Sequence, residues 1–179
     1  SIDEAYVDVS EKEFEEAAEL AEQIKREIKD NFGITCSIGI GPNKLIAKMA
    51  SRYNKPDGLT IVKQETVEEF ISPMTADKIH GVGTVTVASL GEMGIKTIKD
   101  LAAADLQTLV QRFGGTKGEF LYNAARGIDD SPVEELERKQ YSRIGTLKEN
   151  TRDVNAIMEL TNKLIDALHE KLIKNKIWF

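Results

Sequence analysis

Strand-like and helix-like hydrophobic patterns alternate along the first 73 residues of the chain. Between Glu11 and about Asn31, apolar residues recur at helical spacing, which predicts an amphipathic helix that Gly33 ends. We also predict strands at residues 5–9, 34–40 and 59–62 and further helices at residues 44–53 and around 67–71. This alternation indicates an α/β layer, in which helices cover a mixed sheet.

After Pro73 the pattern changes to short helical segments divided by glycine-containing turns, which predicts a compact all-α unit. Its helices are predicted at residues 75–79, 84–93, 97–103, 105–113 and 116–126. A charged linker at 132–143, a strand at 144–147, a long amphipathic helix at about 154–174 and the start of another strand at 177–179 follow. Because a strand needs partners along its edges, we expect this chain to be a piece of a longer protein.

The composition argues against a membrane or disulfide-stabilised protein. Hydrophobic residues make up 41% of the 179, which suits globular cores. No apolar run approaches the roughly 18 residues of a membrane helix, and no signal peptide is visible. The single cysteine, Cys36, excludes a disulfide within the chain. We interpret Cys36 as a small core residue and expect a cytoplasmic protein.

The net charge of −6 does not exclude a nucleic-acid partner, because it is unevenly distributed. Residues 1–74 hold 15 acidic and 9 basic residues, whereas residues 132–179 hold 8 acidic and 9 basic residues. The excess of acids therefore lies mainly near the start of the chain, and a basic stretch follows downstream.

Two adjacent carboxylates, Asp3 and Glu4, precede the first predicted strand. Acidic residues are depleted from strands, and carboxylate pairs provide the oxygen ligands that Mg²⁺ prefers. The alternative is a solvated turn, which is the commoner role of an Asp-Glu pair. The metal interpretation gains weight only from the motifs that follow it.

The second motif joins a strand, a Gly41-Pro42 turn and a helix that Asn43 can cap. The amino end of a helix attracts anions, and Lys44 and Lys48 lie one turn apart on this helix. For these two lysines, a phosphate contact and a solvated surface are equally good interpretations. Lys55 precedes a rigid Pro-Asp-Gly turn, and for it we favour a phosphate contact.

The third motif is the hairpin Gly81-Val82-Gly83, which precedes Thr84 between two short predicted helices. Glycines in such a turn allow backbone amides to approach a phosphate, so a helix-hairpin-helix binds a DNA backbone without reading its sequence. A plain inter-helix turn is the alternative, and the all-α surroundings favour the DNA contact. His80 is interpreted as a structural residue of the hairpin.

Together these motifs resemble those of the Y-family translesion DNA polymerases, in particular the DinB (DNA polymerase IV) branch. The resemblance rests on SIDEAYVDV, SIGIGPNKLIAKMASRYNKPDG, KIHGVG and SRIGTLKEN. It implies a palm at residues 1–73, a helix-hairpin-helix thumb at 74–131, a tether at 132–143 and the beginning of an α+β little finger at 144–179.

The resemblance also implies roles for individual residues. Asp3 matches a metal-binding aspartate, Glu4 the adjacent catalytic glutamate, and Lys55 a lysine that holds the incoming triphosphate. The family's DNA contacts fall on the hairpin 81–84 and, in the basic strand, on Arg143 and Lys148. Two positions depart from the family pattern: His80 stands where proline is usual, and Arg52 where an acid is common.

The activity implied by the resemblance is DNA-directed DNA synthesis with two Mg²⁺ ions. Its partners would be primer–template DNA and deoxynucleoside triphosphates, together with a sliding clamp bound through a region outside these residues. We expect a monomer without membrane contact, and no polymerase activity from the 179 residues alone. The main alternative is a non-enzymatic helix-hairpin-helix DNA-binding module. A nucleotide cyclase-like palm would use similar carboxylates but would not require the hairpin.

Overall fold

The computed structural model describes residues 3–134 and 140–176, which form two compact units divided after Val133. The first unit contains a two-stranded sheet and seven α-helices, and the second contains one long helix. The elements are α1 (Phe14–Phe32), β1 (Ile38–Ile40), α2 (Lys44–Tyr53), β2 (Leu59–Ile61), α3 (Val67–Ile71), α4 (Thr84–Glu92), α5 (Ile98–Ala102), α6 (Leu106–Phe113), α7 (Gly115–Ala124) and α8 (Val154–Lys174). Short 3₁₀ helices lie at Gln64–Thr66 and Ala76–Lys78.

A small α/β layer forms the first part of the chain. Strands β1 and β2 pair in parallel, with Ile38 opposite Leu59, and α2 is the crossover between them. Helix α1 covers this sheet through Ala17 and Ala21, which pack with Ile40 in a small apolar cluster. The predicted end of α1 is confirmed, because Gly33 adopts the left-handed conformation that terminates helices.

Helix α2 lies very close to β1 because the strand carries glycine at its centre. A Cβ atom added to Gly39 would lie 2.1 Å from the carbonyl oxygen of Ala47 and 2.2 Å from the amide nitrogen of Ser51. Backbone atoms cannot move aside as a flexible side chain can, so glycine is required for this contact.

A larger core joins α2 to the helices that follow it. The shared core means that the α/β layer and the all-α part pack as one unit. Its fully buried side chains come from α2–α7 and from the connections between them, and include Ile46, Ile71, Ile79, Leu90, Ile98, Leu101, Leu109 and Leu121. A single antiparallel bridge, between Thr75 and Thr97, lies within the helical part.

Several predicted elements differ in the structure. Residues 5–9 and 144–147 are not strands, residues 34–37 precede β1, and the segment at 75–79 is a 3₁₀ helix over Ala76–Lys78. A strand exists only with a hydrogen-bonded neighbour, and in the described part of the chain neither β1 nor β2 pairs with either segment. The predicted strand at 177–179 and part of the 132–143 linker lie outside the described residues.

The second unit is built around α8, whose bounds agree with the sequence prediction. Asp153 caps it by accepting a hydrogen bond from the amide of Asn155. Leu160 and Leu164 lie against Gly145. No residue of α8 is buried, and apolar side chains such as Ile165, at 57% exposure, face outward.

Candidate catalytic and nucleic-acid-binding site

The two carboxylates lie on an exposed segment that reaches α2 through an ion pair. Asp3 and Glu4 are both exposed, and Glu4 forms an ion pair with the ammonium group of Lys48. The side chain of Lys48 is only 8% exposed, and Lys48 is the one buried charged residue among those described. This contact contradicts both sequence interpretations of Lys48, because the lysine is neither a solvated surface group nor free to meet a phosphate.

The ion pair keeps Glu4 charged. A hydrogen bond from Lys48 lowers the pKa of Glu4, while the neighbouring Asp3 carboxylate acts in the opposite direction. Two carboxylates on adjacent residues are an attractive site for a hard cation. Their chemistry therefore fits a divalent metal ion.

The number of ligands, however, is small. Within residues 3–134 and 140–176, no group of three or more His, Cys, Asp or Glu side chains lies close enough together to hold a metal ion. Asp3 and Glu4 can thus supply part of a metal centre, and further ligands would have to come from water, substrate or groups other than these.

The amino end of α2 already holds an anion supplied by the chain itself. The side chain of Asn43 accepts a hydrogen bond from the amide of Ile46, as predicted for a cap, at 3.0 Å. The carboxylate of Asp129 accepts one from the amide of Leu45, also at 3.0 Å. Asp129 thereby occupies the position at which the sequence suggested a phosphate.

Lys44 takes part in the same contact between α2 and the segment at 127–132. Its ammonium donates to the carbonyl of Pro132 at 2.9 Å, and the side-chain amide of Asn43 donates to the carbonyl of Gly127 at 2.7 Å. Lys44 also lies 5.4 Å from the ring centroid of Tyr6. Sequence reasoning missed Asp129 because nothing near it in the chain marks a residue that caps a helix 84 positions earlier.

Lys55 lies two residues beyond α2, in the turn that leads to β2, and its side chain is exposed. The turn contains Asp57 in the left-handed conformation, with φ 54°. Gly58 fits closely there, because an added Cβ would lie 2.0 Å from the carbonyl oxygen of Asn54. Lys55 is therefore carried by a tightly constrained turn.

The hairpin between the Ala76–Lys78 turn and α4 has the geometry of a backbone-lined loop. Gly81 adopts φ 92°, a conformation that favours glycine, and Gly83 is the residue that precedes the first turn of α4. The ammonium of Lys117, on α7, donates to the carbonyl of Gly81 at 2.7 Å. Phe120 lies beside Gly81. Val82 is buried beneath the hairpin, whereas Thr84 and His80 are exposed.

Arg143 and Lys148 belong to the second unit, and both are exposed in a segment without strand structure. Cys36, which was predicted in the core, is a half-buried free thiol just before β1. Within the described residues, none of the helices combines the length and apolar character that crossing a bilayer requires.

Comparisons with known proteins agree with these motifs. The model of the impB/mucB/samB family matches residues 1–52, and that of the DNA polymerase-iota thumb domain matches residues 77–129. DNA polymerase IV of Methanosarcina acetivorans is 48% identical over all of this chain and half of its own length. DNA polymerase IV of Nitrosopumilus maritimus is 43% identical over 99% of the chain and half of its own. The chain is therefore similar to DNA polymerase IV and to other Y-family DNA polymerases over nearly its whole length.

Solved structures of this family have the same fold. A Y-family DNA polymerase chimera of Dbh and Dpo4 matches 96% of this chain and 51% of its own, with a TM-score of 0.88 and 37% identity. The crystal structure of DinB from Sulfolobus solfataricus has a TM-score of 0.71 at 36% identity, over 96% of this chain and 51% of its own. The chain thus spans about half the length of the curated and structural relatives it matches.

Proposed function

We propose that the chain forms the central part of a DNA-directed DNA polymerase of the translesion type. The observation that carries this proposal is the contact between Glu4 and Lys48. It brings the two carboxylates to the middle of α2, and Lys55 follows the end of the same helix. At a rise of about 1.5 Å per residue, the end of α2 at Tyr53 lies roughly 8 Å along the axis from Lys48. The groups that we propose to bind metal and phosphate therefore both lie along α2.

We assign residues 1–73 to the palm and 74–131 to the thumb, followed by a tether at 132–143 and the start of a little finger at 144–179. The thumb-domain match at 77–129 supports the bounds that we assign to the thumb. The core shared by α2 and α5–α7 indicates that palm and thumb would move as one body.

In the proposed reaction, Asp3 and Glu4 would hold Mg²⁺, and the intact enzyme would use two such ions. When bound, the ions supply positive charge that activates the primer hydroxyl and offsets the charge of the triphosphate. Asp3 would bind both ions, and Glu4 would complete the site near the primer hydroxyl. Lys55 would neutralise charge that develops on the leaving pyrophosphate.

The DNA contacts would be made to phosphates, without sequence readout. Backbone amides of the hairpin at Gly81-Val82-Gly83 and the start of α4 at Thr84 would meet the backbone, because the uncapped amino end of this helix favours an anion. Arg143 and Lys148 would add charge from the second unit. The substrates would be primer–template DNA and deoxynucleoside triphosphates, and the protein would act as a cytoplasmic monomer that contacts a sliding clamp through another region.

Replacing Asp3 by Ala in the polymerase that contains this chain tests the proposal. Primer extension should fall by about a hundredfold or more, because a metal ligand is lost, while affinity for primer–template DNA stays within about twofold. Asp8→Ala is the matched control, since Asp8 is an exposed carboxylate of the same segment that bonds only locally to the amide of Ser10 in the described contacts. A non-enzymatic DNA-binding module would show no difference between the two variants.

A further inference from the structure

The side chain of Lys25 does not project into solvent, although Lys25 lies on the charged surface helix α1. It is 11% exposed, and its ammonium reaches the turn between α2 and β2. There it donates to the carbonyl of Asp57 at 2.6 Å, to the carboxylate of Asp57 at 2.6 Å, and to the carbonyl of Cys36 at 3.0 Å. One cation thus connects three parts of the chain: α1, the approach to β1 and the turn that carries Lys55.

Lys25 contacts the turn at the residue whose backbone conformation is unfavourable. Asp57 has φ 54°, a conformation that costs free energy for residues other than glycine. Two bonds of Lys25 go to this residue, one to its backbone and one to its side chain. The second bond joins two charged groups and is therefore among the stronger hydrogen bonds of a protein.

Other contacts fix the two ends of the turn but not its middle. The hydroxyl of Ser37 accepts from the amide of Gly58 at 3.2 Å, and the side-chain amide of Asn54 donates to the hydroxyl of Thr60 at 3.1 Å. Lys55 stands between these anchors, and Lys25 holds Asp57, which lies two residues after Lys55. Removing Lys25 would leave the ends in place and release the part that directs Lys55.

We propose that Lys25 is a positioning residue for Lys55, and that it fixes the turn so that the Lys55 ammonium meets the triphosphate in one defined place. This inference rests on the proposed polymerase function, in which Lys55 contacts the triphosphate. Lys25 itself touches no substrate. Its contribution is to preorganise a charge that another residue carries.

A double-mutant cycle in the polymerase that contains this chain tests this role, with kcat/KM for the incoming deoxynucleoside triphosphate as the readout. Lys55→Ala should lower kcat/KM by about a hundredfold, as expected for loss of a group that stabilises developing charge. Lys25→Met should lower it by about tenfold, through misplacement of Lys55. In the Lys55→Ala background, Lys25→Met should change it by less than about twofold, because nothing remains to be positioned.

Two further variants provide a control and a second probe of the contact between Lys25 and Asp57. Arg26→Met removes an exposed cation that directly follows Lys25 on α1 and should leave kcat/KM unchanged. Asp57→Asn keeps the backbone contacts and an acceptor oxygen but removes the negative charge that faces Lys25, so it should cost about threefold, again only when Lys55 is present. If Lys25→Met does not fold, the cycle is completed with Asp57→Asn.

The possible outcomes distinguish the positioning role of Lys25 from the proposed polymerase function on which it rests. If Lys55→Ala lowers kcat/KM but neither Lys25→Met nor Asp57→Asn does, the positioning role is wrong and the polymerase assignment stands. If their effects are equally large with and without Lys55, they act through general stability, and the positioning role is again wrong. If Lys55→Ala has no effect, the proposed role of Lys55 fails and this inference fails with it.

Discussion

Two segments carry the proposed catalytic groups, and the fold holds them very differently. Residues 38–62 include both strands and α2, and close backbone contacts, a capped helix and the bonds of Lys25 fix them. Residues 3–9 carry Asp3 and Glu4 but have no regular structure. Most of these residues are exposed, and the contacts that anchor the segment include the Glu4–Lys48 ion pair, the approach of Lys44 to Tyr6 and the packing of Val9.

The difference shows which half of the proposed chemistry the chain preorganises by itself. A group that neutralises phosphate must be fixed before the substrate arrives, and the turn around Lys55 meets this condition. The ion pair with Lys48 places Glu4 near α2, and the final geometry of a metal centre at Asp3 and Glu4 would depend on the metal and on its other ligands. Four predictions test this contrast, beginning with the largest expected effect.

Gly39→Ala should destabilise the segment at residues 38–62. The new Cβ would overlap backbone atoms of Ala47 and Ser51, so α2 would have to move away from β1. We expect the free energy of unfolding to fall by about 3 kcal/mol, as measured by urea denaturation. Gly91→Ala is the control, because Gly91 lies within α4 with no atom near its would-be Cβ. It should stabilise the protein by about 0.5–1 kcal/mol, and equal losses in both variants would contradict the close approach.

Asp129→Ala should have an intermediate effect. It removes the acceptor for the amide of Leu45, and loss of a helix cap costs about 1 kcal/mol. Thermal or urea unfolding would measure this cost, and Asp130→Ala, an exposed neighbour, should change stability by less than about 0.5 kcal/mol.

The same comparison can be made in the loosely held segment. Val7 is 63% exposed, so Val7→Thr should also change the free energy of unfolding by less than about 0.5 kcal/mol. A larger loss at Val7 than at Asp129 would reverse the contrast between the two segments.

The smallest expected effect is a dependence of stability on pH through Asp57. The hydrogen bond from Lys25 lowers the pKa of Asp57 in the folded protein. A lowered folded pKa stabilises the protein above the unfolded pKa of about 4, and this contribution is lost as pH falls through the lower folded value. Wild type should therefore be more stable than Asp57→Asn at pH 7, and the difference should shrink as the pH falls below the unfolded pKa of about 4. A difference that stayed constant across this range would show that Asp57 is not linked to Lys25 in solution.

The parts of the fold that were predictable from sequence are those set by local pattern. The helical spacing of apolar residues predicted α1, α2 and α8, and Gly33 and Asn43 act at the helix ends as expected. The predicted strands at 5–9 and 144–147 failed because β structure depends on a neighbour that an apolar pattern does not reveal.

The candidate site likewise combines features set by local sequence with features set by distant contacts. Its residue types could be read from motifs, but its contacts join positions far apart in the chain. Lys48 meets Glu4, Asp129 caps α2 and Lys25 holds Asp57, and none of these pairs has a local signature. Such pairings depend on how the elements pack, so they become visible only in the structure.

The most direct test of the central claim is to locate the metal in crystals of the full-length protein, grown with DNA, a deoxynucleoside triphosphate and Mn²⁺ in place of Mg²⁺. Anomalous scattering from Mn²⁺ should place an ion about 2 Å from carboxylate oxygens of Asp3 and Glu4. Density for the ion elsewhere, with Glu4 still bound only to Lys48, would contradict the account.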